Sequence, residues 1–126
     1  MNTERYERTI SIGGKEYPAC YTVAAYLKRL KISEKEGGIS SLPLSRQHEV
    51  LLEMAMLYIN GAIAARNMRD KEHPQPLITM DEILYLTTEE ELAELFDAVA
   101  DITARGNTRD VKTDDEEDPA KKATAE

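Results

Sequence analysis

The sequence is poor in the residues that most often carry chemistry. Its 126 residues include one cysteine, Cys20. A single cysteine forms no intramolecular disulfide, which fits a reducing compartment. The two histidines, His48 and His73, are well separated, so no Cys/His cluster offers tetrahedral zinc ligands. Tryptophan is absent, and Phe96 is the one phenylalanine. Basic residues are outnumbered: 16 Lys and Arg against 24 Asp and Glu leave a net charge of −8 and a pI near 4.8. Phosphate backbones and anionic bilayers attract Lys and Arg, so this balance argues against nucleic acid and membrane surfaces as partners. It fits solubility, or a basic protein partner. The most apolar stretch, "VLLEMAMLYINGAIAA" at 50–65, is interrupted by Glu53 and Asn60. Both are costly in lipid, and the runs between them are too short to span a bilayer. The opening "MNTERYERT" has no apolar signal-peptide stretch, so neither secretion nor targeting is expected.

Each motif that hints at chemistry has a plainer reading. "GGK" at 13–15 lacks the earlier glycine, the following Ser or Thr, and the helix of a phosphate loop. His48 lies beside Glu49, but adjacent helical residues do not face each other, and surface roles suffice for both histidines. Cys20 reads as a small hydrophobe. Ser40, Ser41 and Ser45 lack a nucleophile-elbow setting and read as loop and cap residues. "DDEED" at 114–118 lacks the alternating ligands and central glycine of a calcium loop. The acids Glu89 to Glu91, Glu94, Asp97 and Asp101 make a solvated helix face or a phosphate mimic, and the first is usual. No catalytic, cofactor or metal site is therefore expected, and the chain does not read as an enzyme.

What is present is a small helical domain. "TISIGGKEYPA" reads as a β-hairpin over about 9–17: β-branched residues alternate, Ile10 and Ile12 share a face, and two glycines supply the positive φ of a primed turn. Pro18 is expected to stop the second strand. An isolated hairpin is marginal in water, so Ile10, Ile12 and Tyr17 must lean on helices. Thr22 is a usable N-cap for a first helix, whose Val23, Tyr26, Leu27 and Leu30 recur at helical spacing, with Lys28, Arg29 and Lys31 on the other face; the pattern does not say which apolar face is core and which is groove. Gly37 is its C-cap. Ser45 is expected to cap a long central helix from about 46 to 71, apolar nearly all round and therefore buried. "HPQP" at 73–76 ends it. "TMDE" at 79–82 is a capping box for a short helix. Thr87 or Thr88 opens the last one, with three glutamates in its first turn and Leu92, Leu95, Phe96, Val99 and Ile102 as its stripe, and Gly106 is expected to end it. Residues 107–126 hold seven acids, four bases and one large aliphatic, Val111. Such a segment cannot offset its ordering entropy by burial. The expectation is a mainly α fold: one domain over 1–106 with an N-terminal β-hairpin, then a disordered acidic C-terminal tail over 107–126.

The six tyrosines, at 6, 17, 21, 26, 58 and 85, keep a polar tip at a surface while burying a ring. Tyr6, Tyr17 and Tyr21 gather around the hairpin, as a seal against the core or as a protein contact. The open edge of the hairpin could add a strand from another chain. Ile10, Ile12, Tyr17 and Tyr21 are the candidate partner-binding residues.

The order of elements, with "SIGGKEYPACYTVAAYLKRL" leading into a long apolar helix and "ITMDEILYLTTEEELAELFDAVADITARG" before a charged end, resembles the tail assembly chaperones of long-tailed bacteriophages and prophages. The resemblance covers roughly residues 9–106. It implies a holdase that keeps the tape measure protein soluble and helps recruit tail tube protein subunits. It also implies a protein of the bacterial host cytoplasm that is not in the mature virion and belongs to a kind often made in a longer frameshifted form. Apart from the resemblance, the open hairpin edge would suit a homo-oligomer. Two other readings stand beside the resemblance. One is a further phage structural or head–tail joining protein. The other is an acidic DNA mimic, which the interleaved bases of residues 1–106, 17 acids against 12 bases, argue against.

Overall fold

The computed structural model describes residues 6–115, with side chains placed as far as Gly106. The hairpin comes first: strand β1 (Glu7–Ile12) pairs antiparallel with strand β2 (Lys15–Cys20). Gly13 and Gly14 carry the turn at φ 62° and 83°. These values favour residues without a Cβ and match the primed turns whose twist suits a hairpin. The pairing extends past the expected limits on both sides, and Pro18 does not end it. Pro18 stands opposite Thr9, the fourth pair from the turn. Bonded and non-bonded pairs alternate from the turn outward, so the missing N–H of Pro18 falls where none is needed.

Helix α1 (Val23–Glu36) follows at once. Thr22 caps it, accepting the Ala25 amide at 3.2 Å, and Gly37 closes it at φ 83°. A 3-10 turn over Ile39–Ser41 leads to α2 (Leu44–Arg69). Here the expected cap is displaced: Pro43 occupies the N-cap position and Ser45 lies inside the helix. The Gln47 side chain secures the entry by donating to the Leu42 carbonyl at 2.8 Å. The helix α3 (Met80–Leu86) begins with the full capping box of Thr79 and Glu82. The last helix, α4 (Glu89–Asp115), is capped by Thr88 and runs through Gly106 rather than stopping there. A glycine inside a helix costs about 1 kcal/mol against alanine, which is not enough to end it. The disordered tail expected from 107 is thus helical in backbone to Asp115, and positions 116–126 lie outside the described residues.

Helix α2 is the axis of the core. Val50, Met54, Ala55, Tyr58, Ile59, Ala62 and Ile63 are buried, the residues between them over 51–65 are half-covered, and exposure is confined to the two ends. The hairpin lies on it through β2, while β1 turns toward α4. Ile10 and Ile12 join Ile59, Leu95, Val99 and Ile102 in one continuous cluster. The hairpin therefore closes the bundle. Three polar devices fix its position. The Glu91 carboxylate accepts the amides of Gly13 at 2.8 Å and Gly14 at 2.9 Å, so α4's first turn caps the hairpin turn. Arg8 donates to Asp97 at 3.0 Å and to Asp101 at 3.1 Å. Tyr6 donates to Asp101 at 2.8 Å, with Arg105 over its ring.

The linker between α2 and α3 is held by two asparagines. Asn60 accepts from the Ile78 amide and donates to its carbonyl, at 2.8 and 2.9 Å. Asn67 does the same to Gln75, at 2.8 and 3.0 Å. Seven residues of helix rise about 10.5 Å, and three extended residues span about 10 Å, so the two spacings match. Each carboxamide replaces a strand neighbour for the backbone it meets.

Candidate functional site

The surface that stands out is a face of α1. Val23, Tyr26, Leu27 and Leu30 recur at i, i+3, i+4 and i+7, the spacing of one helical stripe. They are not core: they remain 68, 40, 48 and 42% exposed. The spacing marks the stripe, and the structure turns it outward. Ala25 and Ile32, seven positions apart, are the buried residues of this helix. Advancing 100° per residue places them almost opposite the stripe. The small Ala25 lets α1 sit close to the core, and the bulkier residues are left facing out. A sequence pattern marks an apolar face without saying whether its own chain covers it. The hint lay in Ala25 and Ile32, a second and smaller apolar pair on the other side.

Charge frames this stripe unevenly. The 14 residues of α1 carry four bases, Lys28, Arg29, Lys31 and Lys35, against Glu34 and Glu36, within a chain of net −8. On the helical wheel Lys31, Lys35 and Lys28 follow one side of the stripe, Arg29 lies beyond Tyr26 on the other, and Glu34 marks its C-terminal limit. Glu36 is turned away: Arg46 donates to it at 2.7 and 2.9 Å, which holds its carboxyl below the usual range. Arg46 also reaches Glu53 at 3.2 Å and Glu49 at 3.3 Å, tying the end of α1 to α2. At the C-terminal end of the stripe, Tyr26, Arg29, Leu30, Ser33, Gly37 and Ile39 line an open depression of about 290 Å³.

The four residues expected to bind a partner lie elsewhere and do not form one surface. Ile10 and Ile12 are 3 and 1% exposed and belong to the core. Their side chains are engaged in closing the bundle, because alternation turns both toward α2 and α4. A charged substitution there would test folding, not docking. Tyr17 is half-buried against the core, with the Lys15 ammonium 5.2 Å from its ring centre. Tyr21 is a seal: its ring lies 5.7 Å from that of Tyr58 and covers Gly106, and its hydroxyl accepts from Arg29 at 3.3 Å. Tyr58 in turn shares a 2.6 Å hydrogen bond with Thr103, and burial pushes its phenol upward in pKa. No third strand continues the hairpin among the described residues.

Several of the polar groups singled out in the sequence have structural partners. Of the acids that a phosphate mimic would present, Glu91 serves the hairpin turn, and Asp97 and Asp101 face Arg8. Tyr6 first, then Arg105 and Arg8, hold the Asp101 carboxyl below its ordinary range. His48 is exposed and packs its ring 4.8 Å from that of Phe96. His73 lies 3.4 Å from Asp70 at the surface, and Cys20 is buried. Among the described residues no group of three or more His, Cys, Asp or Glu is placed to hold a metal ion. Likewise none of their helices is long and apolar enough to cross a membrane. Comparison with protein-family models, with curated proteins and with solved structures finds no match.

Proposed function

We propose that this chain is a tail assembly chaperone of a long-tailed bacteriophage or prophage. It holds the tape measure protein in a soluble state and gives it up as tail tube subunits are recruited. The observation that carries the reading is the outward stripe Val23–Tyr26–Leu27–Leu30, on a helix whose other face is seated in the core. Exposed apolar surface at helical spacing is what a long helical client requires: it accepts an amphipathic helix through i, i+3, i+4 and i+7 anchors. The hydrophobic term is non-directional, so such a holder needs no reactive group. The acidic remainder of the molecule keeps a loaded complex in solution. In this reading the protein works in the cytoplasm of the bacterial host and is missing from finished particles.

Co-expression tests this. A tape measure fragment that is insoluble alone should move to the soluble fraction with this chain and co-purify with it. The double variant Leu27→Asp/Leu30→Asp should leave the fragment insoluble while the variant itself stays folded. Equal rescue by the variant would remove the stripe from the mechanism, and no rescue by the natural chain would remove the chaperone reading. A head–tail joining protein, the other reading, would instead be detected in purified virions by mass spectrometry.

A further inference from the structure

We infer that the α1 stripe is built for an acid-flanked amphipathic helix of a partner chain, seated along Val23, Tyr26, Leu27 and Leu30 with one bulky side chain in the depression beside Ile39. This rests on the chaperone reading and names the chemistry of the client segment. The first support is charge. Four of the chain's 16 bases fall within these 14 residues, beside the exposed apolar stripe, and the rest of the molecule is strongly acidic. Lys28 and Lys31 are exposed and engaged in none of the ion pairs of the described residues. A partner helix laid on the stripe brings its own flanking positions beside these ammonium groups. Acids there are attracted, and bases are juxtaposed with like charge, which discriminates between partners more than it adds affinity.

The second support is shape. The depression opens at the C-terminal end of the stripe, where Gly37 and Ser33 leave space between Tyr26, Leu30 and Ile39. Binding energy in helix-in-groove contacts concentrates in one or a few large side chains that fill such hollows. The stripe spans two turns of helix, so the matching segment is about 10–15 residues long, the usual size of a docked helix. A second copy of this chain offers a poorer fit through the same face. Two α1 helices packed stripe to stripe bring Lys28 and Lys31 of one copy toward those of the other.

The test uses the full chain and two designed peptides that share Leu at i, i+3, i+4 and i+7 and a Phe at the next anchor. One carries Glu at the flanking positions and the other Lys. Fluorescence anisotropy should show the Glu peptide bound about tenfold more tightly at low salt, as expected when a few exposed charge pairs add their small terms. The preference should collapse in high salt, where such pairs are screened. Lys28→Glu/Lys31→Glu should invert the preference without loss of helical circular dichroism. Leu27→Asp/Leu30→Asp should abolish binding of both peptides. Equal binding of the two peptides, or a preference for Lys, overturns the inference. So does a dimer in sedimentation that the Leu27→Asp/Leu30→Asp variant dissolves, since the occupant would then be a second copy. These failures are separable from failure of the chaperone reading. A tape measure fragment rescued by a chain that ignores peptide charge keeps the function and discards the client chemistry. Peptide binding without rescue does the reverse.

Discussion

Glu91 shows how much one side chain can connect. It accepts the Thr88 amide at the cap of its own helix and the two turn amides of Gly13 and Gly14 from 78 and 77 positions away. These donors favour the charged form, so its carboxyl is held below the ordinary 4.5. A lowered pKa in the folded state contributes stability that is complete above the unfolded value and is lost as pH falls through the folded one. The melting temperature of Glu91→Gln should therefore fall furthest below wild type near neutral pH, and the two curves should converge below about pH 4. A constant gap from pH 7 to pH 3 would show that charge is not the reason. Gly106 makes the opposite point about local propensity. Alanine is the better helix former by about 1 kcal/mol, yet a Cβ at 106 would run into the Tyr21 ring. Overpacking of this kind costs about 1–3 kcal/mol, so Gly106→Ala should lower stability in urea unfolding despite its helical setting. The glycine was visible in the sequence as a stop signal. Its reason, an aromatic ring 85 positions earlier, was not, because nothing local records a contact at that range.

At the scale of elements, the caps and breaks were legible and the faces less so. Thr22, Gly37, the Thr79–Glu82 box and Thr88 act where local chemistry placed them, since a cap satisfies groups within its own turn. The direction of α1's stripe is decided by what the rest of the chain leaves uncovered, which periodicity does not contain. That difference has a measurable side. Leu27→Asp/Leu30→Asp, on the exposed face, should change folding stability by no more than about 0.5 kcal/mol per site, whereas Ile32→Ala, on the buried one, should cost about 2–5 kcal/mol. The linker held by Asn60 and Asn67 was equally hidden, because the sequence showed Asn60 only as a polar interruption of an apolar helix. Asn60→Ala strips both partners from Ile78, which is buried. It should cost about 1–3 kcal/mol and speed hydrogen exchange at the Ile78 amide, whereas Asn67→Ala, at an exposed site, should cost less.

For the molecule as a whole, the outline of a mainly helical domain closed by a hairpin followed from composition and pattern. The outward surface did not: Ile10 and Ile12 lean on the helices as an isolated hairpin requires, while the apolar stripe of α1 is left out. Pattern alone separates the two cases poorly. An apolar residue announces that it avoids water without naming what shields it. The clasp between the first strand and the last helix adds a constraint in time. Tyr6 and Arg8 meet Asp101 across 95 and 93 positions, and Ile10 and Ile12 find cover beside Leu95, Val99 and Ile102. During synthesis the hairpin must therefore wait for about ninety further residues, roughly 5–20 s at ordinary elongation rates, before its greasy side has anything to rest on. Long-range closure of this sort slows folding, and over that interval the nascent chain is itself in need of protection from aggregation.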